Sequence, residues 1–457
     1  MFAVARLAPL WPISRHAIKP NWYWLYLCGG LALMLYALCK VWCPSVVRVA
    51  EGVALLSGVI LFLASPGLRR SRWCVLLGVC MLLQLAVWGS AMLTHPEWSS
   101  HAPTLDRLGK LFLFLPLAVL MAGQRRNVLV CWGFFMLGLV LVVVTYPGGL
   151  AYWRGALAGA RVDFDIRNAQ HTAMYFGVAL LMLTLLAKHW LLTTQGLRLW
   201  RLVPWTLALL ISLLMIYVTQ TRAIVLGLLL SLVVLALTVA GVKWRRGRLS
   251  KKIVVAAGIL LLLLLPLVGK VVEVVKVRMQ SEAQTSQLIL QGRWHEVPYS
   301  SIGIRVQTWL VALERIQERP LLGWGNKARS EVIRQSTTLP DEVKREYGHL
   351  HNYFLETQLS YGLAGSLFLL CFFAYLAQAV YRAWRAGILE DEWALFALGF
   401  FIYWLFINNF ESYLSFNSGV FTFGLVAGGL LTRVLNGSAG QASAVPVRSS
   451  AAVTAAG

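Results

Sequence analysis

Twelve long apolar runs, separated by short polar stretches, set the pattern of this chain. They cover roughly residues 21–39, 46–65, 73–93, 108–122, 127–146, 168–188, 202–219, 222–241, 253–272, 353–381, 393–408 and 417–435. Crossing a bilayer as a helix takes about 20 predominantly apolar residues, because the backbone must satisfy its own polar groups where no water is present. The pattern therefore predicts an all-α integral membrane protein with about 12 transmembrane helices. The first run is long and lacks a small-residue cleavage site, so it is expected to be a span and not a signal peptide.

The longest polar interruption falls between the ninth and tenth runs and predicts a large segment outside the membrane. Within it, "SSIGIRVQTWLVALERIQERP" reads as an amphipathic helix. Ile302, Val306, Trp309, Leu310, Leu313 and Ile316 recur at helical spacing, a serine is placed to cap the start, and Pro320 follows the end. Four parts follow: residues 1–272 with helices 1 to 9, the 273–352 segment, residues 353–435 with helices 10 to 12, and a small, polar tail at 436–457 expected to be disordered and cytoplasmic.

Composition agrees: of 457 residues, 58% are hydrophobic and only 13% charged, and mean hydropathy is +0.68. The formal net charge of +22 is explained by topology. Lys and Arg concentrate in the N-terminus and in every even-numbered connection ("PGLRRSR", "GQRR", "KHWLLTTQGLRLWR", "KWRRGRLSKK", "YRAWR"), which marks those as the inner side. The 273–352 segment then faces outward, in a bacterium into the periplasm of the inner membrane. Anionic lipid head groups suffice as partners for the basic runs, with no nucleic acid. Seven cysteines give no disulfide framework and no zinc spacing. Nineteen Trp and fifteen Tyr fit interfacial belts.

Candidate chemistry lies where polar residues break this pattern on the outer side. Arg154, Arg161 and Arg167 lie between runs five and six, and "DIRNAQHTAMYFG" opens the sixth run with Asn168, Gln170 and His171. Arg222 sits in the tight turn "TQTRA" between two apolar runs, and Arg305 begins the amphipathic helix. His349, His351 and Asn352 precede the tenth run in "GHLHNYFLETQLSYGLAG". Any one of these arginines fits snorkelling to lipid phosphates equally well, and a histidine at a helix start serves equally as a cap. Taken together, an outer arginine cluster suits a pyrophosphate, which planar guanidiniums grip with paired hydrogen bonds. A neutral imidazole, ordinarily titrating near pH 6.5, suits taking a proton from a hydroxyl. A metal reading of His349 and His351 with Glu346 or Glu356 finds no third ligand at a characteristic spacing, so neither metal nor cofactor is assigned.

His351-Asn352, with Gly362 and Gly365 following, resembles the signature of the O-antigen ligases. "RPLLGWGN", ending at Asn326, is similar to the turn that precedes this motif across the wider ligase and polymerase superfamily. The resemblance implies that His351 is the catalytic histidine, that His349 assists it or shapes its loop, and that Arg222 and Arg305 are the family's two arginines. It further implies transfer of O-antigen from undecaprenyl pyrophosphate to a sugar hydroxyl of lipid A-core at the periplasmic face, without metal or nucleotide. Arg154, Arg161, Arg167 and His171 join that site by position alone.

Two rivals share the donor. An O-antigen polymerase or a protein O-oligosaccharyltransferase of the same superfamily differs only in acceptor; the latter often carries an extra C-terminal domain that the short tail does not supply. A transporter or flippase for lipid-linked sugars belongs to another class and favours charges scattered through mid-membrane positions, whereas here the polar groups gather at one face.

Overall fold

A computed structural model describes residues 11–12, 22–193, 196–245 and 283–442. Among these, the chain is a helical bundle whose sole strand pairing is the two-residue ladder of Leu192–Thr193 with Gly196–Leu197. The principal helices are α1 Tyr23–Trp42, α2 Pro44–Ala64, α3 Arg72–Thr94, α4 Phe114–Leu120, α5 Arg125–Val144, α6 Ala169–Leu185, α7 Leu199–Thr219, α8 Arg222–Arg245, α9 Ser301–Glu318, α10 Tyr353–Arg385, α11 Asp391–Ile407 and α12 Asn417–Ala442.

Eight of them (α1, α2, α3, α5, α7, α8, α10 and α12) are long and apolar enough to cross a membrane, so the expected twelve are not reached among the described residues. The run at 108–122 breaks into a 3-10 turn, Lys110–Leu113, followed by the short α4 with Pro116 inside it. A proline interrupts the backbone ladder, and Ala122 and Gly123 end the run with φ of 55° and 70°. The sixth run yields only 17 residues of helix in α6, and α11 is also 17 residues long. The ninth run, 253–272, lies outside the described residues.

Burial sorts the helices into layers. α12 and α6 form the centre; 83% of the α12 window is buried. α12 packs on α4, and α6 packs on α7 and α11. Small residues permit the close approaches: a Cβ on Gly429 would meet the Trp132 ring at 2.5 Å, and one on Gly177 the Tyr403 hydroxyl at 2.2 Å. The outer helices expose Leu56 and Leu63 on α2, Val75 and Leu82 on α3, Leu207 and Leu210 on α7, and Val233 and Leu237 on α8. In water such a surface drives aggregation, whereas lipid covers it without cost. The chain is a multi-pass membrane protein.

α12 continues to Ala442, so the tail expected to be disordered from residue 436 begins as helix. Asn436 holds that extension, its amide donating to Thr432 O at 2.8 Å and Ala118 O at 3.3 Å. α9 forms as expected, with Ser300 Oγ accepting from Gly303 N at 3.2 Å as its cap. The expected stripe packs inward, with Val306 buried and Ile302, Trp309, Leu310 and Ile316 half-buried against apolar clusters, except for Leu313, which is exposed; Gly303, Gln307, Val311 and Ala312 widen the buried face. Gln307 is buried there because it donates to the carbonyls of Trp294, His295 and Val297.

The glycine-rich turn and the glycines of α10 form one clasp. Gly362 has φ 61° and ψ −161°, kinking α10 and freeing backbone groups that the 320–325 turn takes up. Leu363 N donates to Pro320 O and Ala364 N to Leu321 O; Trp324 N and Gly325 N donate to the carbonyls of Leu359 and Ser360. A Cβ on Gly362 would lie 2.3 Å from the Leu321 carbonyl carbon, and one on Gly323 2.6 Å from Leu359 O. Only glycine tolerates both the positive φ and this approach. Gly362 thus supports the site through the backbone, and at Gly365 a Cβ would meet Tyr361 Cβ at 2.3 Å. The clasp fixes the direction of the α10 segment that begins just after His351.

Candidate active site

The start of α10, the start of α6 and the loop between α11 and α12 meet at one end of the bundle. Asn352 caps α10, its side-chain oxygen accepting from Phe354 N and Leu355 N, both at 3.1 Å. Asn168 caps α6 in the same way, accepting from Gln170 N at 2.9 Å and His171 N at 3.1 Å. Each cap satisfies donors that a helix start leaves unpaired, so the polar residues at these starts are structurally required.

The centre is a carboxylate that the sequence reading missed. Glu411, fully buried in the α11–α12 loop, places Oε1 at 3.0 Å from His349 Nε2 and Oε2 at 3.0 Å from His351 Nδ1. Ser412 N also donates to Oε1 at 2.9 Å. Burial pushes the carboxyl pKa up, but the hydrogen bonds and charges of the two imidazoles outweigh it and hold Glu411 well below the usual carboxylate range. An ionised carboxylate only accepts, so each imidazole directs an N–H at it. When neutral, His351 then carries its lone pair on Nε2 and His349 on Nδ1. The two rings lie 4.0 Å apart, centroid to centroid, and remain partly open, with 15% and 19% of their side-chain surface exposed.

A second buried carboxylate locks the loops. Glu356 accepts from Leu350 N at 3.0 Å, Ser412 Oγ at 2.6 Å and Ser415 Oγ at 3.2 Å. Trp309 on α9 donates to Leu350 O at 2.7 Å, which ties the outer helix to the residue between the two histidines. His351 itself holds φ 54°, a conformation rare for a side-chain-bearing residue and costing on the order of 1–3 kcal/mol. Arg167 and Gln220 are strained similarly, with φ of 59° and 50°. Such strain persists only where surrounding contacts impose it.

Phe416 joins the groups. Arg167 stacks over its face at 3.6 Å, and the rings of His349 and His171 meet it edge-on, each at 5.3 Å. His171 is fully buried, accepts or donates at Nδ1 with Ser418 Oγ at 2.6 Å, and leaves Nε2 without a partner. Arg161 donates from Nε to Thr219 O at 3.2 Å, and Gln220 donates to Gly159 O at 2.7 Å, binding the 159–161 loop to the α7–α8 turn. Arg222 is the first residue of α8 in that turn and is half-buried. Arg161 and Arg305 are both within electrostatic reach of Tyr413, whose buried hydroxyl donates to Gln170 O. The structure thus gathers His349, His351, His171, Arg161, Arg167 and Arg305 around the α11–α12 loop. Arg154 is exposed on the short helix Gly149–Leu157 and takes no part in these contacts.

Cation binding by His349 and His351 has a third group after all, since ring nitrogens of both and a carboxylate oxygen of Glu411 lie within 4.8 Å of one another. The expected partners do not supply it: Glu356 is engaged by backbone and serine donors. Glu411 lies 60 residues beyond His351, which no local spacing rule connects. The signal open to inspection was "NNFESYLSFN", Asn408–Asn417, a polar run with a lone acid between two apolar runs.

Residues 207–370 match the family model described as O-antigen ligase. No curated protein matches the chain. The matched stretch contains α8, α9, the clasp, both histidines and the kink of α10. Over that stretch the chain is similar to the O-antigen ligase family, a match that supports a ligase- or polymerase-type glycosyltransferase.

Proposed function

We propose that the protein transfers O-antigen polysaccharide from undecaprenyl pyrophosphate to a sugar hydroxyl of lipid A-core, at the periplasmic face of the bacterial inner membrane. The observation that carries this reading is the Glu411-anchored histidine pair at the bundle end, beside a guanidinium cluster. A lipid-linked donor keeps its polyprenyl chain in the bilayer and presents its pyrophosphate and sugar where the spans end. The positive-inside pattern assigns that end to the periplasm.

His351 Nε2 takes the proton from the acceptor hydroxyl as that oxygen attacks the anomeric carbon. The bond from the anomeric carbon to the pyrophosphate oxygen breaks, and the electron pair leaves with the pyrophosphate. Glu411 holds the imidazole in the tautomer that accepts this proton and stabilises the imidazolium that forms. Arg222, Arg305, Arg161 and Arg167 stabilise charge growing on the departing pyrophosphate, which removes the need for a divalent ion. His349, sharing Glu411, positions His351 and completes the wall against Phe416.

Lipopolysaccharide from cells lacking this protein tests the reading. Loss of long chains on lipid A-core, with polymer accumulating on undecaprenyl pyrophosphate, supports a ligase. Failure of the polymer to form at all assigns the protein to the polymerases instead.

A further inference from the structure

A cavity of about 380 Å³ opens beside the catalytic loops, walled in part by Arg107, Lys110, Arg329, Tyr353, Glu356 and Tyr361. Glu356 and Ser415, which lock the catalytic loops, line it, but neither takes part in the transfer step. Three buried polar atoms of its lining lack a hydrogen-bond partner: Nη1 of Arg329 and the hydroxyls of Tyr353 and Tyr361. Buried donors are nearly always satisfied, so three at one cavity point to a ligand that accepts.

The charges specify that ligand. Glu356 stands 3.6 Å from Arg329 Nη1, beyond hydrogen-bonding distance, and its oxygens are engaged by Leu350 N, Ser412 Oγ and Ser415 Oγ. Asp106 is committed to Lys110 at 2.6 Å. Three cations (Arg107, Lys110, Arg329) against two carboxylates (Asp106, Glu356) leave an excess of one positive charge. Guanidinium and tyrosyl donors converging beside an excess of positive charge match the oxygens of a phosphate.

Position adds a role. Ser415 lines this cavity and also a second one, again of about 380 Å³, whose wall includes Lys40, Arg167 and Phe416. The chain segment leading out of Glu411 therefore divides two separately charged cavities, which suits a reaction with two anchored substrates.

We propose that the Arg107–Arg329 cavity binds a phosphate group borne by one of the two transfer substrates, an inference that rests on the glycosyl-transfer reading above. The group is either a phosphate on the acceptor glycan or the diphosphate of the donor.

The test titrates purified full-length protein with inorganic phosphate and with inorganic pyrophosphate by calorimetry. Arg329→Gln and Arg107→Gln should each weaken binding about tenfold or more, the loss expected for a charge-assisted hydrogen bond. Arg329→Lys should retain part of it, and Arg382→Gln, at the far end of α10, should match the wild type. Should Arg329→Gln fail to fold, Arg107→Gln and Tyr361→Phe decide. Wild-type affinity in these variants overturns the proposal and leaves a water-filled cavity only. Transfer kinetics then identify the source: a raised KM for acceptor alone places the acceptor's phosphate there, and a raised KM for donor alone places the diphosphate. If the wild type transfers nothing, the functional reading fails while the titration still decides whether the anion site exists.

Discussion

Glu411 Oε2 lies 3.0 Å from His351 Nδ1, on the side of the ring opposite the nitrogen left to act as base. A buried anion in this place fixes the tautomer and the orientation of the imidazole. Glu411→Gln should therefore lower the transfer rate by roughly 10- to 100-fold, a part of the 10²- to 10⁴-fold that a general base supplies. An unchanged transfer rate would assign Glu411 to packing alone.

The lowered pKa of Glu411 also links to stability. A group whose folded pKa is depressed contributes fully above its unfolded value, near 4.3 for a glutamate, and loses that contribution as pH falls through the folded value. Wild-type protein in detergent should thus keep this stabilisation at pH 5. Thermal unfolding at pH 5 and pH 7 should show Glu411→Gln below the wild type by a similar margin at both.

His351→Ala should remove transfer while leaving the protein folded, and His349→Ala should be milder, since His349 touches the reaction only through Glu411 and the loop. Single-turnover rates of the two variants, with elution volume as the check on folding, separate them. Equal loss at both positions would make the pair a single functional unit.

Gly362→Ala should destabilise the protein by roughly 2–4 kcal/mol, combining a strained positive φ with a backbone clash. The drop in melting temperature should accompany lost activity. Gly387→Ala, also at positive φ but with open space around its Cβ position, should cost less.

For the guanidinium cluster, Arg305→Lys and Arg222→Lys should rescue only part of the activity lost in the alanine variants, because an ammonium lacks the planar pair of donors that matches two phosphate oxygens. Donor affinity, measured as KM for the lipid-linked glycan, should weaken more than acceptor affinity. Full rescue by lysine at both positions would show that charge alone is needed.

What was legible in the sequence followed from local rules. Apolar run length located α1, α2, α3, α5, α7, α8, α10 and α12 to within a few residues, because lipid solubility is written residue by residue. A serine cap made the start of α9 legible, and the polar residues that open α6 and α10 do gather at one end. Local rules overstated the run at 108–122, where Pro116 and the turn at Ala122 divide the helix. They were silent about Glu411, Phe416 and Arg329, whose importance arises from packing between segments dozens to hundreds of residues apart. Gly362 was legible only as part of a motif, and its backbone clasp with the 320–325 turn was not.

The most direct measurement is transfer by purified protein supplied with undecaprenyl-linked glycan and lipid A-core, in excess EDTA and without ATP, comparing wild type with His351→Ala. The wild type should transfer at its full rate and His351→Ala should be slower by about 100-fold or more. A wild-type enzyme that stops under EDTA and recovers with Mg²⁺ or Mn²⁺ would contradict the mechanism, recasting His349, His351 and Glu411 as ligands, and so would a His351→Ala enzyme of near-normal rate.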